Sequence, residues 1–279
     1  MNRMSGRWSL RSFAIALLGM MAAAYVAAVG TLHVKQRTMV FNASPAFHGV
    51  AELNLPGFRD ATIATSDGER LVALYRPADQ GRPTVLYFHG NSGTMPRISR
   101  RLRALAAEGF GVLAPAYRGY NGSTGTPTEE GLAEDARASF DWLARTAPGA
   151  TVVVYGESLG SGVAVRLATE RRFAALVLDA PYTELPDVAA ERYPWVPVHA
   201  LMKDRFPSAS RIAGIARPLL ILHGDADTVV PFRFGERLYA LAQSPKRFVR
   251  IPGGNHADNM EAAWDDVRAF IASAGTGTR

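Results

Sequence analysis

The sequence predicts an α/β protein built on a mostly parallel sheet with helices on both faces. Two observations carry this. Apolar runs rich in β-branched residues recur along the chain, and several are continuous rather than alternating, as strands buried on both faces require. Examples are "TVLYFHG" (84–90), "TVVVYG" (151–156), "AALVLDAP" (174–181) and "PLLILHG" (218–224). Segments of helical periodicity alternate with these runs, which implies right-handed crossovers between parallel strands. The composition agrees, since 48% hydrophobic and 20% charged residues suit a folded domain with a sizeable core.

The first element is not part of that sheet. Residues 13–32, "FAIALLGMMAAAYVAAVGTL", are twenty residues without a charge, long enough at 1.5 Å per residue to cross a hydrocarbon core of about 30 Å. Arg3, Arg7 and Arg11 precede the span, while Lys35 and Arg37 follow it. Counting the terminal amine, the basic excess lies before the span. That balance predicts a single-pass signal anchor with its N-terminus inside and the remainder exported. The alternative is a signal peptide cut after Ala22-Ala23-Ala24, which would release a secreted chain lacking residues 1–24. The expected organisation is a basic tail over 1–12, the anchor over 13–32, a connector over 33–57 and one domain over 58–279.

Within that domain, "ATIAT" (61–65) and "RLVALYRP" (70–77), joined through Ser66-Asp67-Gly68, read as a hairpin at one edge. "FGVLAPAY" (110–117) and "KRFVRIPG" (246–253) bring the strands to eight. Helices are expected over 97–107, 128–145, 159–170, 231–242 and 258–273. The second of these has a Thr cap and acids in its first turn. The basic group "RISRRLR" (97–103) fits the exposed face of an amphipathic helix. One interval breaks the rhythm: residues 180–217 hold many prolines and aromatics and no strand, so a lid is expected over about 182–217.

Net charge is +6, with 28 of the 31 basic residues Arg. The charge is scattered, which fits a solvated surface and argues against a nucleic-acid partner. The absence of Cys removes disulfides, thiolate catalysis and S-acylation.

Ligands of an open parallel sheet sit outside the carboxyl ends of its strands. There the sequence delivers Gly90-Asn91, Ser158, Asp179, Asp225, Asp227 and a loop with His256. Ser158 stands in "GESLG", a G-x-S-x-G turn set between a buried strand and a helix. Such a turn projects a serine hydroxyl into the cleft while its glycines let the helix pass close to the strand. A serine nucleophile needs a base, and the base needs an orienting carboxylate. His33 adjoins the membrane segment, His48 lies in the connector and His199 in the lid, while His89 and His223 end buried strands. His256, in the glycine-loosened "PGGNHADN", is therefore the expected base. In "HGDADTVVP" Asp227 is the favoured acid; Asp225 is expected to pair turn amides, and Asp179 is an alternative. The amides of Leu159 and Asn91 are the candidate oxyanion donors. These groups need no cofactor. A metal-dependent hydrolase using His223, Asp225 and Asp227 is a weaker alternative, because their spacing lacks a second convergent histidine.

On these motifs the chain resembles the serine α/β-hydrolases, and within them the membrane-anchored Bem46-like group. The resemblance runs over residues 35–273. It rests on "KQRTMVFNASP", "FHGNSG", "AYRGYNGSTGTPTEEG", "GESLGSGVAV", "RYPWVPVHALMKDRF", "LHGDADTVVP" and "GGNHADN" in order. It implies the α/β-hydrolase fold, a Ser158–His256–Asp227 triad, an oxyanion hole at Asn91 and Leu159, and cleavage of ester or thioester bonds through an acyl-enzyme. The aromatics Tyr193 and Trp195 of the expected lid suggest an apolar group, so the expected substrate is a small-molecule or lipid-like acyl compound. A serine peptidase and a non-catalytic binding protein on the same fold are the alternatives. Two positions depart from the family pattern: Ala116 where an Asp is usual, and Asn121 where a Gly is usual.

Overall fold

A computed structural model of the chain describes residues 9–92 and 95–275. Arg3 and Arg7 of the basic tail, and Gly93 of "FHGNSG", lie outside the described residues. Among the described residues, eight strands form one sheet: β1 (Arg59–Ala64), β2 (Arg70–Arg76), β3 (Thr84–Phe88), β4 (Gly111–Pro115), β5 (Val152–Glu157), β6 (Ala175–Asp179), β7 (Leu219–Gly224) and β8 (Lys246–Ile251). Their order is β1-β2-β4-β3-β5-β6-β7-β8. β2 runs antiparallel to both of its neighbours, and every other pairing is parallel. The leading hairpin turns at Gly68, whose φ of +90° suits glycine.

The strands that read as continuous apolar runs are the inner ones. Every residue of β3, β4, β6 and β7 is buried, whereas the edge strands β1 and β8 are half exposed. The helices are α1 (Leu10–Val40), α2 (Val50–Leu53), α3 (Met95–Ala107), α4 (Glu129–Thr146), α5 (Leu159–Ala168), α6 (Leu185–Arg192), α7 (Val198–Leu201), α8 (Ser208–Arg211), α9 (Phe232–Leu241), α10 (Asn259–Ala262) and α11 (Trp264–Ala274). A 3₁₀ turn over Ile212–Gly214 follows α8. The larger helices cover the sheet on both faces, and α6 to α8 fill the strandless interval between β6 and β7. α4 starts as its sequence suggests: the Thr128 hydroxyl accepts from the Gly131 amide, and Glu129 and Glu130 stand in the first turn.

Two features differ from what the sequence suggests. Helix α1 does not stop at the end of the apolar span but continues through residues 33–40, to Val40. Its last turns are docked on the interval between β6 and β7. The Leu201 carbonyl accepts from Gln36 at 3.3 Å and lies 3.1 Å from His33 Nδ1. The Gln36 side chain accepts from the Lys203 amide at 2.8 Å. Arg37 Nε donates to Asp204 at 2.9 Å, and the same carboxylate accepts the Glu129 amide at 2.8 Å. Second, the "RISRRLR" face is not wholly exposed: Arg101 is buried, because Glu157 on β5 supplies a carboxylate 2.7 Å from its guanidinium. Asn121, one of the two departures from the family pattern, has φ +44°. Asn tolerates the left-handed region better than most residues do, so it stands in for glycine there.

Candidate active site

Ser158 sits between β5 and α5 with φ +50° and ψ −116°, a backbone that few non-glycine residues adopt. The flanking residues are glycines for a steric reason. A Cβ on Gly156 would strike the Gly160 carbonyl, and a Cβ on Gly160 would strike the Phe88 carbonyl of β3. The elbow is pinned on one side by the Ser158 amide, which donates to the Asp179 carbonyl of β6 at 2.8 Å. The turn thus throws the Ser158 side chain off the end of the sheet rather than into it.

There it meets a histidine. His256 Nε2 lies 2.9 Å from Ser158 Oγ, and His256 Nδ1 lies 2.7 Å from Asp227 Oδ2. Asp227 is buried, and its other oxygen accepts the Val229 and Val230 amides at 2.8 and 2.9 Å. Burial pushes this carboxyl up. Hydrogen bonds from His223 and His256, the charge of His256 and the Val230 amide outweigh burial and hold it well below the ordinary aspartate range. His223 does not join the chain at Ser158; its Nε2 lies 2.9 Å from the Val230 carbonyl and 3.4 Å from Asp227, bracing the loop from beneath.

The other carboxylates are engaged elsewhere. Asp225 accepts from Arg250 at 2.9 Å and from the Gly253 amide at 2.7 Å, the turn role its position suggests. Asp179 is buried and accepts from Tyr155 at 2.8 Å and from Asn259 at 2.9 Å; burial raises its carboxyl, against the charge of Arg101 nearby. His223, Asp225 and Asp227 therefore do not converge on one point. Another grouping, Glu184, Asp187 and His199, has ligand atoms within 4.8 Å of one another, but Arg205 occupies Glu184 at 2.8 Å and Thr183 occupies Asp187. His89 is a core residue: burial pulls it down to about 4, and its Nδ1 lies 2.8 Å from the Gly90 carbonyl.

Leu159 opens α5, and a first-turn amide has no acceptor within its own helix. Asn91 follows β3, with its carbonyl held by the Tyr120 hydroxyl at 3.1 Å. Both residues line the same cavity as Ser158, so the structure brings together the five residues singled out from the sequence.

Two cavities meet at Ser158. One, of about 660 Å³, is largely apolar and runs between α1 and the α6–α7 interval, with Val29, Leu32, Met39 and Val40 of α1 facing Leu185 and Val188. The other, of about 370 Å³, is more polar and holds Arg97, Asn255 and His256. The α1 wall is not evident from the residue types alone, because 33–40 mixes polar and apolar side chains. Its signal is the spacing 29, 32/33, 36, 39/40, which marks one helix face. Arg101 was also hidden. It joins Glu157, beside Ser158, to the Ala257 carbonyl, beside His256, and to Glu261 at 3.2 Å.

A strained strand-to-helix serine, bonded through a histidine to a buried aspartate on a mostly parallel eight-stranded sheet, defines an α/β-hydrolase, and the chain belongs to that family. Residues 79–212 match the hydrolase family described as "Serine aminopeptidase, S33". The chain is 40% identical over 245 residues to the uncharacterized protein Rv2307c of Mycobacterium tuberculosis, covering 85% of this chain and 87% of that one. It is 33% identical over 186 residues to the lysophosphatidylserine lipase ABHD12 of Danio rerio, covering 59% of this chain and 48% of that protein. Among solved structures, the Pyrococcus furiosus esterase Pf2001 shares the fold with a TM-score of 0.67 at 20% identity, over 83% of this chain and 96% of that one.

Proposed function

We propose that the protein is a serine hydrolase that cleaves ester or thioester bonds of apolar acyl compounds. The observation that carries this is the unbroken chain Asp227–His256–Ser158, with distances of 2.7 and 2.9 Å, at the mouth of the apolar cavity. Neutral His256 keeps its proton on Nδ1 facing Asp227 and accepts the Ser158 proton on Nε2 as Oγ attacks the acyl carbon. The resulting oxyanion is held by the Leu159 and Asn91 amides, each such donor being worth about 3–4 kcal/mol at the transition state. Collapse breaks the bond to the leaving alcohol or thiol, which takes its proton from His256 and leaves an acyl group on Oγ. Water, deprotonated by the same histidine, then attacks that acyl carbon; Oγ departs with the proton and the free acid is released.

The two cavities divide the substrate. The apolar one suits the acyl chain, and the polar one, with Arg97, suits the leaving group. The esterase and lipase names among its relatives support the same class. Helix α1 is proposed as a membrane anchor, with the hydrolase domain on the exported side and residues 182–217 as a lid. Its uncharged stretch has the length and hydropathy for crossing. A fluorophosphonate probe is expected to label the protein, and Ser158→Ala to abolish labelling. Equal labelling of the variant would remove Ser158 from the nucleophile role.

A further inference from the structure

We infer that the turn 193–196 is immersed in the bilayer beside α1, so that the apolar cavity opens to the hydrocarbon layer and draws its acyl substrate laterally from the membrane. This rests on the anchor role of α1 proposed above, and helix arithmetic carries it further. From Ser12 to Val34 the helix has no Asp, Glu, Lys or Arg. A hydrocarbon core of about 30 Å takes about twenty residues, so its exported boundary falls between residues 31 and 34 wherever the span is set. At 1.5 Å per residue Tyr25 then lies about 9–14 Å inside that boundary, and a tilt of about 20° changes this little.

Tyr25 bonds to the domain well before the docked last turns of the helix. Its hydroxyl donates to the Trp195 carbonyl at 3.0 Å, and the two rings meet edge to face with centroids 6.2 Å apart. The backbone of the turn is thereby fixed at the depth of Tyr25. Its sequence, Tyr-Pro-Trp-Val, has no charged residue, and Trp195 is 48% exposed although large and apolar. The turn carries no charge, and its Trp195 carbonyl is satisfied by Tyr25, as hydrocarbon requires of a backbone group. Glu191, which pairs with Arg233, and Arg192 come just before the turn and line the cavity. The cavity reaches the same depth: Val29 lines its far end, about 3–8 Å inside the boundary, while Ser158 lies at the other end. The occupant of this face is therefore the hydrocarbon of a phospholipid leaflet, and the route from leaflet to Ser158 runs along α1.

The chain has no cysteine, so one label can be placed cleanly. Trp195→Cys in the full chain, carrying a nitroxide, is reconstituted in phosphatidylcholine vesicles, with Arg268→Cys on exposed α11 as the aqueous reference. The Tyr25 hydrogen bond is to the backbone of residue 195 and survives the change, while the ring contact is lost. The label at 195 should show several-fold lower accessibility to a water-soluble nickel chelate than the reference, and higher accessibility to oxygen. Equal nickel accessibility at both sites, with the chain still in the vesicles after alkaline carbonate, would overturn the immersion alone. A chain that leaves the vesicles would overturn the anchor and the immersion together. Neither result depends on catalysis. As a second measurement, Trp195→Asp should lower turnover of a long-chain ester dissolved in vesicles several-fold and leave that of soluble p-nitrophenyl acetate unchanged. Loss on both substrates, or on neither, would overturn the lateral route.

Discussion

Asp227→Asn separates an orienting acid from a merely structural one. Asn has one oxygen, and the loop dictates where it points. The Val229 and Val230 amides both donate to Asp227 Oδ1. Rotating the Asn side chain to offer its oxygen to His256 would aim its NH₂ at those two donors. Leaving them unpaired costs about 1–3 kcal/mol each, or about 2–6 kcal/mol together. The oxygen therefore stays with the amides, and the NH₂ faces His256 Nδ1. A neutral imidazole facing a donor must accept on Nδ1 and carry its proton on Nε2, facing Ser158, where it can no longer act as a base. The expected fall in kcat is on the order of 10⁴, equivalent to about 5 kcal/mol of barrier, the size seen when an orienting aspartate is neutralised in a serine protease. The assay is kcat for a p-nitrophenyl ester, with circular dichroism to confirm the fold and Asp225→Asn as a control. Asp225 is bonded to Arg250 and Gly253 away from Ser158, so its variant should turn over normally. A folded Asp227→Asn within about tenfold of wild type would refute the tautomer argument, because that argument demands a far larger loss.

The depressed Asp227 carboxyl makes a pH prediction. Its folded pKa lies below the unfolded value of about 3.9, so it adds stability that is present above that pH and fades as the pH falls further. The Tm gap between wild type and Asp227→Asn should narrow from pH 5 to pH 3; a constant gap would deny the linkage. Arg101→Gln leaves Glu157 buried without its cation, which costs about 3–5 kcal/mol. The Tm should drop, and the surviving folded protein should react more slowly with a fluorophosphonate, since Arg101 also holds the loop beside His256. An unchanged Tm and labelling rate would mean that the buried pair does neither job.

The sheet was legible because its inner strands are buried on both faces, which forces unbroken runs such as Leu219–Gly224. Ser158 was legible because its backbone demands glycines at 156 and 160, and those glycines mark the turn whatever surrounds it. His256 followed by elimination, and Asp227 by its place further along the loop. The C-terminal turns of α1 were harder, because a helix that runs from an exposed apolar stretch into a docked end has no uniform face. His33, Gln36 and Arg37 bond to Leu201 and Asp204 while Leu32, Met39 and Val40 line the cavity, so apolar and polar residues alternate with no clear boundary. Arg101 was misread for a related reason. Its partner Glu157 is 56 positions away, and local periodicity carries no information about a pairing at that range.

The shared use of α1 predicts how the chain tolerates truncation. A chain beginning at Tyr25, which is also the product of cleavage after Ala24, loses a segment whose described residues, 9–24, are almost all exposed. It keeps Val29 and Leu32 in the cavity wall and the Arg37–Asp204 clamp. A chain beginning at His33 keeps the clamp but removes the far part of that wall. Burying one methylene is worth about 0.8 kcal/mol, which is about fourfold in kcat/KM for each methylene that finds apolar surroundings. In a p-nitrophenyl ester series, the Tyr25 form should gain up to about that factor per methylene until the cavity is full. The His33 form should stop gaining at a shorter chain, because acyl carbons beyond the level of Gln36 would meet water where Leu32 and Val29 had been. Short esters should be cleaved alike by both forms, since Met39, Val40 and the Ser158 elbow are common to them. Identical chain-length profiles would show that the wall contributes no binding energy and that α1 serves as a tether alone.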